Sequence, residues 1–267
     1  MKHSLIEMAK NMHHYKSYVT SPLIKEDNAA NSFIKDIETY PHAFLIACLI
    51  DPYRKNSKDW MLPYRMFLSF GYFDIQRLYN TPLDSFYDII SRENLSAFPE
   101  RHSKLIYNAI HKIVETPFMD GDASKIWSGR PKSSDVVIRF LDFDSCGFSC
   151  SNSAPILLWR FFGVDFSDYS SIDLAPEAHD IRIFQRMGLI PYVKDKDAAR
   201  IYVICKAREL NPPFPGIIDA ICRDIGTNYC KIKSPLCDKC PFSTFCENKP
   251  EIHTWAMYPP ESSVHIG

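Results

Sequence analysis

The chain has 267 residues, of which 46% are hydrophobic and 13% aromatic, so it can bury the core of one large domain or two small ones. Its formal net charge of −1 excludes a globally basic surface, so any contact with nucleic acid must be a local patch. The first residues lack an apolar run of signal-peptide length, and no segment reaches the about 18 apolar residues that span a bilayer. We therefore expect a cytoplasmic protein with no membrane partner.

Apolar residues recur every three or four positions along most of the chain, which is the spacing of amphipathic helices. The stretch that begins at Pro41 is apolar throughout and ends at Asp51, which predicts a buried helix. Only DVVIRFLDF is rich in β-branched residues, and its neighbours are helical. The other predicted helices are LIEMAKNM, AANSFIKDIETY, KDWMLPYRMFLSFG, LDSFYDII, HSKLIYNAIHKIVET, SAPILLWRFFG, DIRIFQRMGLI, KDAARIYVICKAREL and PGIIDAICRDIG. The sequence therefore predicts an all-α fold, with an extended or disordered tail over residues 251–267.

A turn of small residues around Gly147, DSCGFSCSNSA, runs directly into an apolar helix. Such a turn leaves backbone N–H groups free at a helix N-terminus, where they can hold a phosphate with the help of the helix dipole. An ordinary helix cap is the alternative interpretation.

A second polar stretch gathers a carboxylate, an imidazole and two arginines just before and along an amphipathic helix. It contains Glu177, His179, Asp180, Arg182 and Arg186. Acidic residues that pair with arginines at helical spacing would explain it structurally. Carboxylates and imidazoles are also the groups that perform general acid and base chemistry.

Four cysteines near the C-terminal end follow the spacing C-x6-C-x2-C-x5-C: Cys230, Cys237, Cys240 and Cys246. Four sulfurs this close are the ligand set of a [4Fe-4S] cluster or a structural zinc ion. Disulfides or unrelated buried thiols are the alternatives, but nothing else in the chain indicates secretion. The spacing alone does not distinguish iron from zinc.

These elements resemble, in the same order, the endonuclease III superfamily of helix-hairpin-helix DNA glycosylases. The turn around Gly147 resembles the hairpin L-P-G-V-G-x-K-T-A, and residues 177–189 resemble the catalytic stretch D-x-H-V-x-R-V-x-x-R-L-G-L. The cysteine spacing resembles the cluster loop of that family, and this favours a [4Fe-4S] cluster over zinc. The resemblance implies a six-helix barrel over 37–165 with a degenerate hairpin, a cluster domain from 1–36 and 166–250, and a cleft between the two helical domains.

The same resemblance implies a set of catalytic residues. Glu177 takes the place of the catalytic aspartate and His179 that of the family histidine, with Asp180 as a second candidate acid. The lysine that attacks the sugar in bifunctional members falls on Asn152, or on Ser151 in a shifted register. No lysine occurs between residues 132 and 194, so this region offers no Schiff-base nucleophile. The expected activity is that of a monomeric, monofunctional N-glycosylase that acts on double-stranded DNA with a damaged or modified base and leaves an abasic site.

The resemblance also implies a set of residues that contact DNA, from the base-stack wedge to the hairpin and the cysteine loop. They are Tyr53, Gly147, Ser149, Ser151, Arg182, Lys231 and Lys233. Two departures from the family pattern, a hairpin with one glycine and a glutamate in place of aspartate, keep two other hypotheses open. One is a catalytically silent iron–sulfur DNA-binding protein of the same fold, and the other is a zinc-stabilised helical interaction module.

Overall fold

The computed structural model describes residues 23–24, 26–51, 57–243 and 246. In this part of the chain the regular structure is helical and contains no strand, so the all-α prediction is confirmed. Short 3-10 turns occur at Ala123–Ile126, Pro215–Ile217 and Cys237–Lys239. The α-helices are α1 (Asn28–Lys35), α2 (Pro41–Ile50), α3 (Ser57–Phe70), α4 (Ile75–Tyr79), α5 (Leu83–Arg92), α6 (Pro99–Glu115), α7 (Ser133–Leu141), α8 (Phe148–Phe162), α9 (Ala178–Arg186), α10 (Lys196–Leu210) and α11 (Ile218–Asn228).

These residues divide into two compact units, with the boundary between Asp168 and Tyr169. The first unit contains α1 to α8 and the second contains α9 to α11 with the cysteine loop. None of the helices described is both long and apolar enough to cross a membrane. The predicted helix LIEMAKNM and the predicted tail over 251–267 lie outside the described residues.

Helix α2 is the centre of the first unit. Every residue from Pro41 to Leu49 is buried, as expected for a helix that is apolar on all sides. Pro41 occupies its first turn, where the missing N–H costs no hydrogen bond. Helices α1, α3, α6 and α8 all pack against α2. The early apolar stretch is therefore the buried helix that the sequence predicts.

Helix α1 packs on α2 and α3, within the first unit. The domain prediction had grouped residues 1–36 with the cluster domain instead. The physical reason for the difference is Phe33, which is buried and stacks on Tyr40 and Phe67 and meets Phe73 edge-on. Aromatic contacts of this kind between distant parts of the chain are not visible in the local periodicity.

The stretch rich in β-branched residues forms helix α7. Val136 and Phe140, four positions apart, are buried on one face, whereas Ile138 and Leu141 are exposed. This helical spacing outweighs the β propensity of the individual residues. Helices α7 and α8 pack against each other, and the turn that contains Gly147 connects them.

The second unit is built around the contact between α9 and α11. Ile183, Phe184 and Met187 on α9 are buried, as are Ile221 and Ile225 on α11. Gly188 lies two residues after the last residue of α9, and its φ of 67° is the left-handed conformation that glycine adopts without strain. The Leu189 N–H donates to the Phe184 carbonyl at 2.9 Å and closes this end of the helix.

Candidate functional site

The N-terminus of α9 carries the predicted catalytic carboxylate. Glu177 is the N-cap residue, with extended backbone, and the carboxylate of Asp180 accepts its N–H at 2.7 Å. The side chain of Glu177 in turn faces the N–H of Asp180, so the two residues form a capping box. The Glu177 side chain keeps 13% of its surface exposed. It is thus an oriented carboxylate at the positive end of a helix dipole.

His179 lies between two carboxylates. Its Nδ1 is 3.6 Å from Oε2 of Glu177, and its Nε2 is 3.5 Å from Oδ1 of Asp180. These separations are longer than hydrogen bonds, but a small rotation of the ring would bring either pair into range. The imidazole can therefore hold the orientation of Glu177.

Asp180, the second candidate acid, has no exposed side-chain surface. Burial raises the pKa of this carboxyl well above its usual range, and the nearby charge of Asp219 raises it further. A group with no accessible surface does not reach a nucleotide unless the protein rearranges. The burial therefore favours Glu177 as the acid that meets a substrate, with Asp180 as the residue that holds its backbone.

Two arginines join α9 to the cysteine loop. The Nε of Arg182 donates to the Cys230 carbonyl at 2.8 Å, and Nη2 donates to the Gly226 carbonyl at 3.3 Å. Arg186 donates to the carbonyls of Lys231 and Ile232, at 2.8 and 3.0 Å. Burial lowers the pKa of Arg182 from its usual value. The hydrogen bonds of Arg182 thus position the loop, while its predicted contact with DNA stays a prediction.

The first and last of the four cysteines contact the end of α9. Cys230 Sγ accepts from Arg186 Nη1 at 3.3 Å, and Cys246 Sγ donates to the Arg186 carbonyl at 3.2 Å. The first and last cysteines therefore meet at one residue, although 15 residues separate them. Burial, and then the charge of Cys230, raise the pKa of the Cys237 thiol. A closed loop with four neighbouring thiols suits a cluster or metal with four sulfur ligands.

Lys231 and Lys233, which lie between Cys230 and Cys237, are both exposed, as a contact with phosphate requires. Lys239, which lies between Cys237 and Cys240, is also exposed. The sequence analysis did not single out Lys239, although its position inside the C-x2-C turn could have suggested it.

The turn before α8 replaces the two-glycine hairpin. Gly147 is the N-cap of α8 and is exposed, and no atom would lie within 4 Å of a Cβ placed there. Ser145, two residues earlier, has a φ of 64°, a conformation that glycine adopts more readily. The spacing of 145 and 147 matches the G-V-G of the hairpin pattern. The backbone therefore favours a register in which Gly147 is the second glycine.

In this register a different residue takes the place of the lysine, while the assignment to Asn152 or Ser151 stays a prediction. Two residues after the second glycine lies Ser149, whereas the sequence analysis placed the lysine position at Asn152 or Ser151. Both of those residues are buried, and each side chain donates to the Phe148 carbonyl, Asn152 at 2.9 Å and Ser151 at 3.1 Å. Ser149 is half-buried in the first turn of α8. None of the three side chains is an amine.

Tyr53, the predicted wedge, lies outside the described residues. The structure adds three residues that sequence reasoning missed, all on α11: Asp219, Cys222 and Gly226. They follow one face of the helix at spacings of three and four. Gly226 allows a close approach to α9, since a Cβ there would lie 2.8 Å from the Cβ of His179. A glycine inside a predicted helix was the available signal.

The arrangement of these helices is that of the helix-hairpin-helix glycosylase fold. The chain is similar to an endonuclease III solved in a non-covalent complex with DNA, with a TM-score of 0.58 and 15% sequence identity over 93% of this chain and 96% of the other. A trapped covalent endonuclease III–DNA intermediate gives a TM-score of 0.56 at 14% identity, over 93% of this chain and 96% of that one. A thermostable thymine-DNA glycosylase gives 0.50 at 15% identity, over 91% and 95%. No protein-family model and no curated protein sequence matches the chain.

Proposed function

We propose that the protein is a monofunctional DNA N-glycosylase that flips a damaged or modified base out of the duplex and excises it. The observation that carries the proposal is the placement of Glu177, a partly exposed carboxylate fixed by a capping box at the start of α9. Two of the solved structures with the same fold are endonuclease III–DNA complexes, and the third is a thymine-DNA glycosylase. A base inside a duplex is inaccessible, so excision requires that the nucleotide be extruded first.

Glu177 supplies the chemistry in this mechanism. Cleavage of the N-glycosidic bond leaves positive charge on the sugar, and an ionised carboxylate beside it stabilises that charge. The same carboxylate then orients or deprotonates the water that attacks the sugar. His179, 3.6 Å from Glu177, positions the carboxylate.

The residues around the hairpin indicate that water, and not an amine of the protein, attacks the sugar. A bifunctional glycosylase attacks the sugar with an amine, but Ser149, Ser151 and Asn152 carry hydroxyl and amide groups. No lysine occurs between Lys132 and Lys194. The product is therefore an abasic site in an intact strand.

Two surfaces bind the DNA backbone in this proposal. The N–H groups that precede Ser151 at the start of α8 hold one phosphate, because no acidic residue occupies that first turn. Lys231 and Lys233 contact phosphates from the cysteine loop, with Tyr53 filling the gap left by the flipped base. Arg182 acts indirectly, through its hydrogen bond to the Cys230 carbonyl.

The four cysteines hold a [4Fe-4S] cluster in this proposal. When bound, such a cluster supplies a rigid, sulfur-ligated centre that fixes the loop and its lysines. Zinc is the alternative occupant. An absorption band in the visible range together with about four iron atoms per chain would identify the cluster, whereas zinc without colour would support the helical interaction module.

The test of the enzyme uses duplexes that each contain one lesion: an alkylated purine, an oxidised base, a deaminated base or a modified pyrimidine. After incubation, alkali converts abasic sites to strand breaks. We expect breaks with at least one lesion, and a loss of about 10²- to 10⁴-fold in rate for Glu177→Gln. The control is Glu209→Gln, which removes an exposed carboxylate paired with Lys206 on α10 and leaves the rate unchanged.

The second candidate function is a catalytically silent DNA-binding protein. The observation in its favour is that the capping box engages Glu177 and leaves only 13% of its side chain exposed. Tight binding to the lesion duplexes without breaks would support this alternative. Breaks that persist unchanged in Glu177→Gln would contradict it, and would show that excision does not use Glu177.

A further inference from the structure

The close approach of α9 and α11 gathers three residues that the glycosylase mechanism does not use as a group. A nitrogen of His179 and carboxylate oxygens of Asp180 and Asp219 all lie within 4.8 Å of one another. His179 and Asp180 come from the first turn of α9, and Asp219 comes from the first turn of α11. Gly226 permits this approach because any side chain at that position would meet the His179 Cβ.

One oxygen in this group is not satisfied by the protein. Oδ2 of Asp180 accepts the N–H of Glu177, and the thiol of Cys222, a weak donor, lies against the same carboxyl group. Oδ1 is buried and accepts no hydrogen bond from an N–H or O–H group. A buried carboxylate oxygen without a donor or a cation is costly. His179 Nε2 lies 3.5 Å from Oδ1. An additional cation would satisfy Oδ1.

The charge of the group indicates a cation that carries more than one positive charge. Glu177, Asp180 and Asp219 bring three carboxylates to the two helix ends. The guanidinium of Arg223 lies 3.8 Å from Asp219 Oδ1, one turn along the same helix. The guanidinium of Arg182 also acts electrostatically on Asp180. Two arginines do not balance three carboxylates. In the catalytic pattern that this stretch resembles, the position of Asp180 is a valine, so this chain carries the extra carboxylate where that pattern has an apolar side chain.

The imidazole has the orientation of a metal ligand. A histidine bound to a metal through one nitrogen nearly always donates its other ring N–H to a carboxylate or carbonyl. Here Nε2 faces Asp180, while Nδ1 faces Glu177 at 3.6 Å. The 3.5 Å between Nε2 and Oδ1 is close to the about 3.3 Å that separates two ligands of a tetrahedral zinc ion with bonds of about 2.0 Å.

We propose that His179 Nε2, Asp180 Oδ1 and a carboxylate oxygen of Asp219 form a site for one Zn²⁺ ion, separate from the four cysteines. One nitrogen and two oxygens are a ligand set that zinc accepts, with a fourth position left for water. Glu177 is the carboxylate that orients the histidine in this site. The bound ion thereby fixes the same imidazole that positions the candidate catalytic acid.

The test is a calorimetric titration of Zn²⁺ into protein whose cysteine site is fully loaded, as judged by its metal content beforehand. We expect one further equivalent of zinc per chain, with no release of the metal held by the cysteines. Asp219→Asn and Asp180→Asn keep the shape of the side chain and are expected to weaken zinc binding at least about tenfold. The control is Asp197→Asn, an exposed carboxylate on α10, which leaves zinc binding unchanged.

The zinc absorption edge gives a second measurement that does not depend on the variants. When the cysteines hold iron, nitrogen and oxygen neighbours at about 2.0–2.1 Å are expected for the added zinc, whereas sulfur at about 2.3 Å would place the ion at the cysteines and overturn the proposal. When the cysteines hold zinc, the same comparison is made on the difference between the spectra before and after the addition. Absence of binding by the wild-type protein, or equal binding by both asparagine variants, would also overturn it. Because the titration contains no DNA, a failed glycosylase assay leaves its outcome unaffected.

Discussion

The N-termini of α8 and α9 are both positive ends of helix dipoles, but the sequence treats them in opposite ways. Helix α8 begins at Gly147, with no side-chain cap and no acidic residue in its first turn. Helix α9 begins at Glu177 and carries a second carboxylate, Asp180, three residues later. The first end offers N–H groups to an anion, and the second offers a carboxylate to a cation. A glycosylase needs both, since it holds a phosphate and stabilises a cationic sugar.

The two ends also differ in what holds them. The turn before α8 is closed by the pairing of α7 and α8 within the first unit. The end of α9 depends on α11 and on the cysteine loop, to which Arg182 and Arg186 donate hydrogen bonds. Loss of the cysteine loop should therefore affect α9 far more than α8.

The largest expected effect tests this dependence. Cys237→Ser removes one of the four proposed sulfur ligands. We expect this variant to carry less iron or zinc than the unchanged protein, and its second unit to unfold at a lower temperature. Metal content and thermal unfolding measure the change. Cys205→Ser, at an exposed cysteine on α10, is the matched control and should retain the metal. Full metal retention by Cys237→Ser would remove this cysteine from the ligand set.

The next prediction distinguishes the registers of the hairpin. Ser149→Lys places an amine two residues after Gly147, and we expect it to form a Schiff base with an abasic site that borohydride traps on the DNA. Asn152→Lys buries an unpaired charge at a position only 2% exposed, and should destabilise the protein by about 3–5 kcal/mol. Trapping by Asn152→Lys and not by Ser149→Lys would contradict the register that Ser145 indicates.

A smaller effect is expected at the contact between α9 and α11. Alanine is usually preferred to glycine inside a helix by about 0.5–1 kcal/mol. At Gly226, however, the new Cβ would lie 2.8 Å from His179 Cβ, so Gly226→Ala should lower the free energy of unfolding by about 1–3 kcal/mol. Thr227→Ala, at the exposed neighbouring position, should change it by less than about 0.5 kcal/mol. Chemical denaturation compares the two, and a stabilising effect of Gly226→Ala would argue against the close approach.

The smallest effect is expected from a substitution that gives the start of α8 an acidic residue, as at the start of α9. Ser149→Glu adds a negative charge to the first turn, which should stabilise the helix by about 0.3–1 kcal/mol. The same charge should weaken DNA binding by about 1 kcal/mol, or about fivefold, because it repels a phosphate held there. Ser153→Glu, one turn later, should produce neither effect. Unchanged DNA affinity in Ser149→Glu would mean that this end of α8 does not hold a phosphate.

Most of the fold could be predicted from the sequence because helix periodicity is a local property. The buried helix α2, helix α3 and the helices from α5 to α11 follow the spacing of their apolar residues, and even the β-branched residues of α7 obey it. The five-residue helix α4 was not predicted, because it is too short to show a period. The assignment of α1 to the first unit was not predictable in this way, since it depends on contacts of Phe33 with residues as distant as Phe73.

The sequence by itself determined three features of the candidate site: the four cysteines and their spacing, the carboxylate at position 177, and the lack of lysine between residues 132 and 194. Only the tertiary structure decided the burial of Asp180, the approach of Asp219 to His179 and the left-handed backbone at Ser145. The physical reason is that residue type and spacing fix which chemical groups are available. Burial, the distance between side chains on separate helices, and a backbone angle are set by packing between segments far apart in the chain.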